Sequence, residues 1–319
     1  MPTIDIALAS YNGEKFIRDQ IGSILSNRIE LAGFALGSII VSDNMSTDQT
    51  ATIVSEIASE HPNVKLYLNS LRGVVKNFGN ALAHTTADYV MLSDQDDIWL
   101  DEKIQMSLQK LLELERDSGS DVPLLVFSDL AVTNSELEIT HPSFFKSQNI
   151  NPKNFQSIPN IFLSNVAAGC TMIVNRKLLE IALPLPAEAI VHDWWLILIA
   201  SVIGRVAYIE TPTILYRQHE NNQIGAPTQY YRQIFSRPMT QFALEAQRLL
   251  AASKQAKAFR EKIKKIPLGS ALTIDFLADF ERLSRRERLR GLCQKKLIHK
   301  TLMRTLNLFI LAVTLPRSK

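Results

Sequence analysis

The chain has 319 residues, 46% of them hydrophobic and 21% charged, which supports one large packed domain with room for an appended tail and excludes a disordered chain. The net charge of +3 conceals an asymmetry: residues 254–319 hold 17 Lys/Arg against 5 Asp/Glu, whereas the preceding residues hold 18 against 27. An acidic body argues against nucleic acid as a partner, and a basic tail points to a different anionic surface.

Residues 4–9 form an apolar run that stops at Ser10-Tyr11-Asn12-Gly13, which predicts a buried strand. Ile17, Ile21, Ile24 and Leu25 follow at helical spacing. Residues 39–42 predict a second strand ending at Asp43, after which Ser46 and Gln49 match a capping box for a helix with Ala51, Val54, Ile57 and Ala58 on its face. Residues 64–68 predict a third strand, and Val75, Phe78 and Leu82 the next helix. Residues 89–92 predict a fourth strand, which runs into Ser93-Asp94-Gln95-Asp96-Asp97, and Ile104, Leu108, Leu111 and Leu112 mark the helix behind it. Four strand–helix alternations imply a mostly parallel sheet covered by helices, with ligands bound beyond the carboxyl ends of the strands.

The middle is less regular. Residues 124–128 predict a strand ending at Asp129, 140–165 a long loop with short helices, and 170–174 a strand before a helix capped by Asn175. Residues 193–203 predict an apolar helix, and 206–209 and 213–216 two short strands flanking Pro212. The body is expected to end near residue 225, with helical material after it. The two cysteines, Cys170 and Cys293, are too far apart in the chain to suggest a disulfide framework, and a reducing compartment fits. The N-terminus lacks the features of a signal peptide, and no apolar run reaches about 20 residues, so a cytoplasmic protein without a membrane span is expected.

Three carboxylates within four residues at a strand end repel one another, and a divalent cation relieves that repulsion. Oxygen ligands there suit Mg²⁺ or Mn²⁺, which would neutralise charge on a departing diphosphate. Val191-His192-Asp193-Trp194-Trp195 opens an apolar helix. The helix dipole favours an ionised Asp193 while the aromatic surroundings oppose it, a setting suited to a general base.

Ala87-Asp88-Tyr89-Val90-Met91-Leu92-Ser93-Asp94-Gln95-Asp96-Asp97-Ile98-Trp99 resembles the metal-binding segment of family 2 glycosyltransferases, with Asp94-Gln95-Asp96 at the Asp-x-Asp motif. Ala9-Ser10-Tyr11-Asn12-Gly13-Glu14 is similar to that family's first-strand loop, and Ser42-Asp43-Asn44-Met45-Ser46-Thr47-Asp48-Gln49-Thr50 to its Asp-Asp-Gly-Ser-x-Asp-x-Thr segment, with Asn44 and Met45 in place of the second Asp and the Gly. The resemblance implies a GT-A fold over residues 1–225, an α/β architecture with a mostly parallel central sheet flanked by helices, followed by a helical C-terminal extension over 226–319. It implies an inverting, metal-dependent transfer from a nucleotide-sugar donor. Ser10, Tyr11, Asn12, Asp43, Asp94 and Gln95 would contact the nucleotide, Asp96 and His219 the metal, and Asp193 would be the base. Asp48 is expected to order its own loop, and Cys170 to be a packed residue rather than a nucleophile. Arg217, His192, Trp194 and Gly169 are candidate diphosphate or acceptor contacts. Asp-Gln-Asp-Asp-Ile-Trp, His-Asp-Trp-Trp and Tyr-Arg-Gln-His together are most similar to the rhamnosyltransferase-type branch, which implies dTDP-L-rhamnose as donor, with a UDP-sugar as the alternative.

Arg282, Arg285, Arg286, Arg288, Arg290, Lys295, Lys296, Lys300 and Arg304 lead into Leu302, Leu306, Phe309, Ile310 and Val313 at helical spacing. That pattern predicts peripheral attachment to an anionic membrane surface, the cytoplasmic face being where a lipid-linked or glycan acceptor of a surface polysaccharide would be extended. A nucleotide-sugar-forming nucleotidyltransferase would share the sheet and the metal, but it needs a Gly-rich first loop, and Ser10-Tyr11-Asn12-Gly13 has one Gly. The absence of G-x-G-x-x-G after the first strand excludes a dehydrogenase. A non-catalytic, membrane-associated scaffold would not need Asp43, Asp94, Asp96 and Asp193 together.

Overall fold

The computed structural model describes residues 1–220, 238–294, 297 and 302–317. In chain order the elements are β1 (Thr3–Ser10), α1 (Ile17–Leu25), β2 (Ala35–Asp43), α2 (Thr50–Glu60), β3 (Val64–Leu68), α3 (Val74–Ala83), β4 (Tyr89–Ser93), β5 (Ile98–Trp99) and α4 (Lys103–Ser118). Then come β6 (Leu124–Thr133), β7 (Ile139–His141), α5 (Phe144–Ser147), α6 (Ile158–Leu163), β8 (Ile173–Asn175), α7 (Arg176–Ala182), α8 (His192–Ile203) and β9 (Arg205–Arg217). Four further helices are α9 (Pro238–Lys262), α10 (Leu268–Ala278), α11 (Arg285–Gln294) and α12 (Leu302–Thr314). The chain forms two compact units, the first holding Met1–Pro152, Ala167–Leu185 and Val191–Gly225, the second Lys153–Val166, Pro186–Ile190 and Ala226–Lys319.

The first unit is built on a sheet of order β3-β2-β1-β4-β8-β6-β9-β5, with β7 added on β6. Strands β3, β2, β1 and β4 are mutually parallel. Strand β8 is antiparallel to both its neighbours, and β9 runs parallel to β6. Ile4, Ile6, Ala7 and Leu8 of β1 and all of β4 are buried, the continuous apolar pattern of strands covered on both faces. Helix α1 turns Ile17, Ile21 and Ile24 inward. The chain passes from β1 to β2 and β3 on one side, then returns to β4 on the other side of β1. That reversal opens a crevice at the carboxyl ends of β1 and β4, between Ser10 and Ser93.

Three local expectations are corrected. Residues 170–174 are not all strand: Gly169–Thr171 form a 3₁₀ turn, closed by Thr171 Oγ1 donating to the Ala168 carbonyl at 2.7 Å, and the strand begins at Ile173. The two strands expected around Pro212 are the single β9. Its register against β6 jumps between Ile209 and Pro212, so a bulge absorbs the residue that cannot donate to the ladder. Strand β6 continues through Asp129 to Thr133.

The second unit is helical and includes α6. Phe162 of α6 meets Phe259 of α9 edge-on at 5.5 Å, and Leu249, Ala256, Phe280, Leu292, Leu308 and Leu311 are buried. Arg288, expected on the basic surface, points inward instead, 1% exposed. It donates to the carbonyls of Phe280, Glu281, Leu315 and Pro316. Arg304 pairs with Glu245 at 2.8 Å. Lys295, Lys296 and Lys300 lie outside the described residues. No helix among the described residues is long and apolar enough to cross a membrane.

Candidate active site

The loops after β1 and β2 interlock through side chains. Asp43 is fully buried. Its carboxylate accepts from Ser10 Oγ at 2.9 Å, from Ser46 Oγ at 2.6 Å and from the Ser46 amide at 2.8 Å. Ser46 Oγ in turn accepts from the Asn12 amide, and Asn12 Oδ1 from the Thr47 amide. Ser46 is thereby spent on the loop, and the expected capping box with Gln49 does not form: α2 starts at Thr50. Asp48 and Glu14 supply the missing acceptors, for the amides of Thr50 and Gln49 respectively. Burial opposes ionisation of Asp48, but hydrogen bonds from Thr50 and Glu14 outweigh it and hold this carboxyl below its usual range.

The departures at Asn44 and Met45 have physical counterparts. The Asn44 amide nitrogen donates to the carbonyls of Asn69 and Leu71, at 2.8 and 3.0 Å, while its oxygen accepts from the Gly73 amide. A carboxylate could not donate, so Asn44 ties down the loop after β3 as Asp could not. Met45 adopts φ +58°, the left-handed region a Gly would enter freely, and it is 51% exposed.

Beyond β4 the four polar residues diverge. Gln95 pairs with the Tyr11 backbone, accepting from its amide at 2.8 Å and donating to its carbonyl at 3.0 Å. A Cβ on Gly13 would displace the end of the Gln95 side chain and disturb its pairing with the Tyr11 backbone. Asp96 meets His219 Nε2 at 2.9 Å. The His219 ring stacks on Phe16 at 4.6 Å, and the Arg217 guanidinium lies over the Phe16 ring at 4.8 Å. Arg217 is 6% exposed, with Asp19 at 3.5 Å and the Ser135 carbonyl at 3.2 Å.

Asp97 is fully buried and takes the Arg217 amide on Oδ1 at 3.3 Å, while Oδ2 has no hydrogen-bond partner among the described residues. Ligand atoms of Asp94, Asp97 and Cys170 fall within 4.8 Å of one another. Burial, then the charges of Asp96 and Asp193, push the Asp94 carboxyl up to about 7. Burial also raises Asp96, with His219 opposing, and raises Asp97 strongly. Lys103 lies buried nearby, its Nζ 4.7 Å from the Trp99 ring, and burial lowers it to about 8. Burial and the neighbouring carboxylates raise the Cys170 thiol well above its usual value, the opposite of what a nucleophile needs.

Asp193 sits in the first turn of α8, 7% exposed, with Oδ2 accepting from the Gly169 amide at 3.0 Å. Gly169 adjoins Cys170, whose thiol lies within 4.8 Å of Asp94 and Asp97, so this bond ties Asp193 to the turn that borders the acidic cluster. His192 stacks on Phe78 at 3.5 Å, neither ring nitrogen has a partner among the described residues, and burial lowers it to about 3. Trp194 is half-buried, while Trp195 is fully buried.

Four residues have roles in supporting the site that the sequence reading did not assign: Phe16, Gln20, Phe78 and Lys103. Gln20 is fully buried beneath the acidic loop. With its amide oriented to donate to the Asp97 carbonyl, it accepts from Ser93 Oγ and from Trp99 Nε1. A signal existed, since Gln20 interrupts the apolar face of Ile17, Ile21 and Ile24. Phe16 and Phe78 carry no such signal.

The profile of glycosyl transferase family 2 matches residues 5–179. The chain is 30% identical over 234 residues to a dTDP-rhamnosyl transferase, RfbG, of Shigella flexneri, covering 69% of this chain and 74% of that protein. The structure of S. aureus TarS 1-349 in complex with UDP-GlcNAc superposes with a TM-score of 0.54 at 17% identity, covering 98% of this chain and 82% of the other. The mannosyltransferase PcManGT from Pyrobaculum calidifontis, in complex with GDP-Man and Mn²⁺, gives 0.50 at 15% identity over 96% and 78%. The fold is thus that of the GT-A glycosyltransferases, and the chain belongs to glycosyl transferase family 2.

Proposed function

We propose that this glycosyltransferase transfers L-rhamnose from dTDP-L-rhamnose, with inversion, to a hydroxyl of a lipid-linked or other glycan acceptor. The observation that carries the reading is Asp193: a carboxylate at the start of α8 held at 3.0 Å by the amide of Gly169, the residue before Cys170, whose thiol lies within 4.8 Å of Asp94 and Asp97. As the acceptor oxygen attacks the anomeric carbon, Asp193 takes its proton. The bond from that carbon to the diphosphate breaks, and the nucleoside diphosphate leaves with the electron pair. Tyr11, 48% exposed, and the loops carrying Ser10, Asn12, Asp43 and Gln95 receive the nucleotide. The rhamnosyl donor is supported by the likeness to RfbG.

The residues fit a divalent cation, Mg²⁺ or Mn²⁺. Three clustered carboxylates that burial makes costly to ionise call for positive charge beyond Lys103. Asp96 and His219 would hold it. The buried thiol of Cys170 makes the Asp94–Asp97 side unsuited to a hard ion. When bound, the cation offsets charge on the departing diphosphate. In the second unit, Leu306, Ile310 and Val313 form an exposed apolar stripe on α12, and Arg282, Arg285, Arg286 and Arg290 are exposed in or just before α11. These features support attachment to an anionic membrane surface on its cytoplasmic side.

The test is Asp193→Asn, assayed for dTDP-rhamnose binding with Mn²⁺ and for transfer. Binding is expected to persist while turnover falls at least about 100-fold. Near-normal turnover would remove Asp193 as the base. Flotation with phosphatidylglycerol vesicles but not with phosphatidylcholine vesicles is expected, and equal recovery with both would refute the membrane reading.

A further inference from the structure

Four large apolar side chains stand exposed around the carboxyl ends of three adjacent strands: Tyr11 after β1, Met45 after β2, and Leu68 and Leu71 at and after β3, at 48%, 51%, 63% and 60%. Their backbones are cross-linked. The Asn44 amide donates to the Ser10 carbonyl at 2.9 Å, which fixes the loop of Met45 beside that of Tyr11. The Asn44 side chain holds the carbonyls of Asn69 and Leu71. Leu68 pairs with Asp43 in the ladder.

Around these loops lies a layer of buried polar groups already satisfied by one another. Asn77 Oδ1 accepts from Ser42 Oγ, and its amide nitrogen donates to the Ser10 carbonyl. Asp43 is taken up by Ser10 and Ser46. The strand ends therefore present a polar base with an apolar rim. Met45 makes the rim distinctive. A left-handed backbone at a side-chain-bearing residue is disfavoured, and strain of this kind persists where function uses it. Here it holds an aliphatic thioether in solvent, where a glycine would offer nothing.

We infer that Met45 and Leu71 select the donor's base by enclosing the C5 methyl group of thymine, so that the site favours thymidine over uridine nucleotides. The inference rests on the proposed nucleotide-sugar reading and deepens it by naming the group that distinguishes the donor class. One buried methyl group corresponds to a preference of about fourfold.

The test compares dTDP with dUDP, which differ only by that methyl, by calorimetric titration of the full chain with Mn²⁺. Wild type, Met45→Gly and Leu71→Ala are measured, with circular dichroism checking that each is folded. Wild type is expected to bind dTDP about fourfold or more tightly than dUDP. In each variant the ratio should approach one, with dTDP affinity falling more than dUDP affinity. Equal affinities in wild type would overturn the inference and leave the nucleotide reading standing. A preference surviving in both variants would overturn the assignment to these residues. No binding of either nucleotide would overturn the inference together with the reading beneath it.

Discussion

Substituting Gly169 by Ala probes the support of the proposed base without touching its carboxylate. An added Cβ would lie 2.6 Å from His192 Nε2 and 3.3 Å from Asp193 Cβ. The imidazole has little room to retreat, because its ring is stacked on Phe78 at 3.5 Å. Overpacking of this kind costs about 1–3 kcal/mol. If the Gly169 backbone moves away instead, the 3.0 Å bond from its amide to Asp193 Oδ2 is lost, and a hydrogen bond to a charged group is worth about 1.5–3 kcal/mol. Either route lowers stability by a few kcal/mol, equivalent to a fall in Tm of about 3–10 °C for a domain of this size. Either route also misplaces Asp193, and a displacement near 1 Å costs a rate factor of about 100. The assay pairs thermal denaturation with the initial rate of sugar transfer. A variant with wild-type Tm and wild-type turnover would refute the argument that Gly169 packs against His192 and holds Asp193.

Asp96→Ala should remain folded yet lose metal-dependent nucleotide binding, read by thermal shift with and without EDTA; undiminished metal dependence would exclude Asp96 as a ligand. A carboxyl whose folded pKa is raised contributes stability below its unfolded value and loses it as pH rises through the folded one, so Asp94, near 7, weighs against the fold between about pH 4 and 7. Mn²⁺ should therefore raise Tm more at pH 8 than at pH 5.5, and an equal increment at both would contradict the clustered-carboxylate account. His192 is shifted to about 3, so below about pH 6.5 the unfolded chain takes up a proton that the folded chain refuses, and stability falls as pH drops toward 3. Over that window, stability measured by urea titration should fall less steeply in His192→Asn, by up to about 1.4 kcal/mol per pH unit; parallel curves would mean that His192 is not held neutral.

The first four strands and their helices were legible because each is a local pattern: an apolar run for strands covered on both faces, a stripe for each helix. Long-range partners were not. Ser46 and Gln49 fit a capping box by spacing, yet Asn12 and Asp43 claim Ser46 across the loop. Pro212 signals a break in any isolated strand, but pairing with β6 carries β9 through it as a bulge. The position of Asp193 on a helix start could be read locally, whereas its bond to Gly169 spans 24 residues and the Asp96–His219 pair spans 123. Phe16, sharing its ring with His219 and Arg217, is one aromatic among 14 Phe until the fold brings them together.

Arg288 bears on how the tail can be studied. Its guanidinium is fixed by the carbonyls of Phe280 and Glu281 on one side and of Leu315 and Pro316 on the other. Shortening the chain before Leu315 would strip two acceptors from a buried cation and loosen the second unit from within. Loss of vesicle binding in such a shortened protein would then report damaged packing as readily as a missing lipid contact. Charge reversal at the exposed Arg285, Arg286 and Arg290 leaves that clasp intact and separates the two effects.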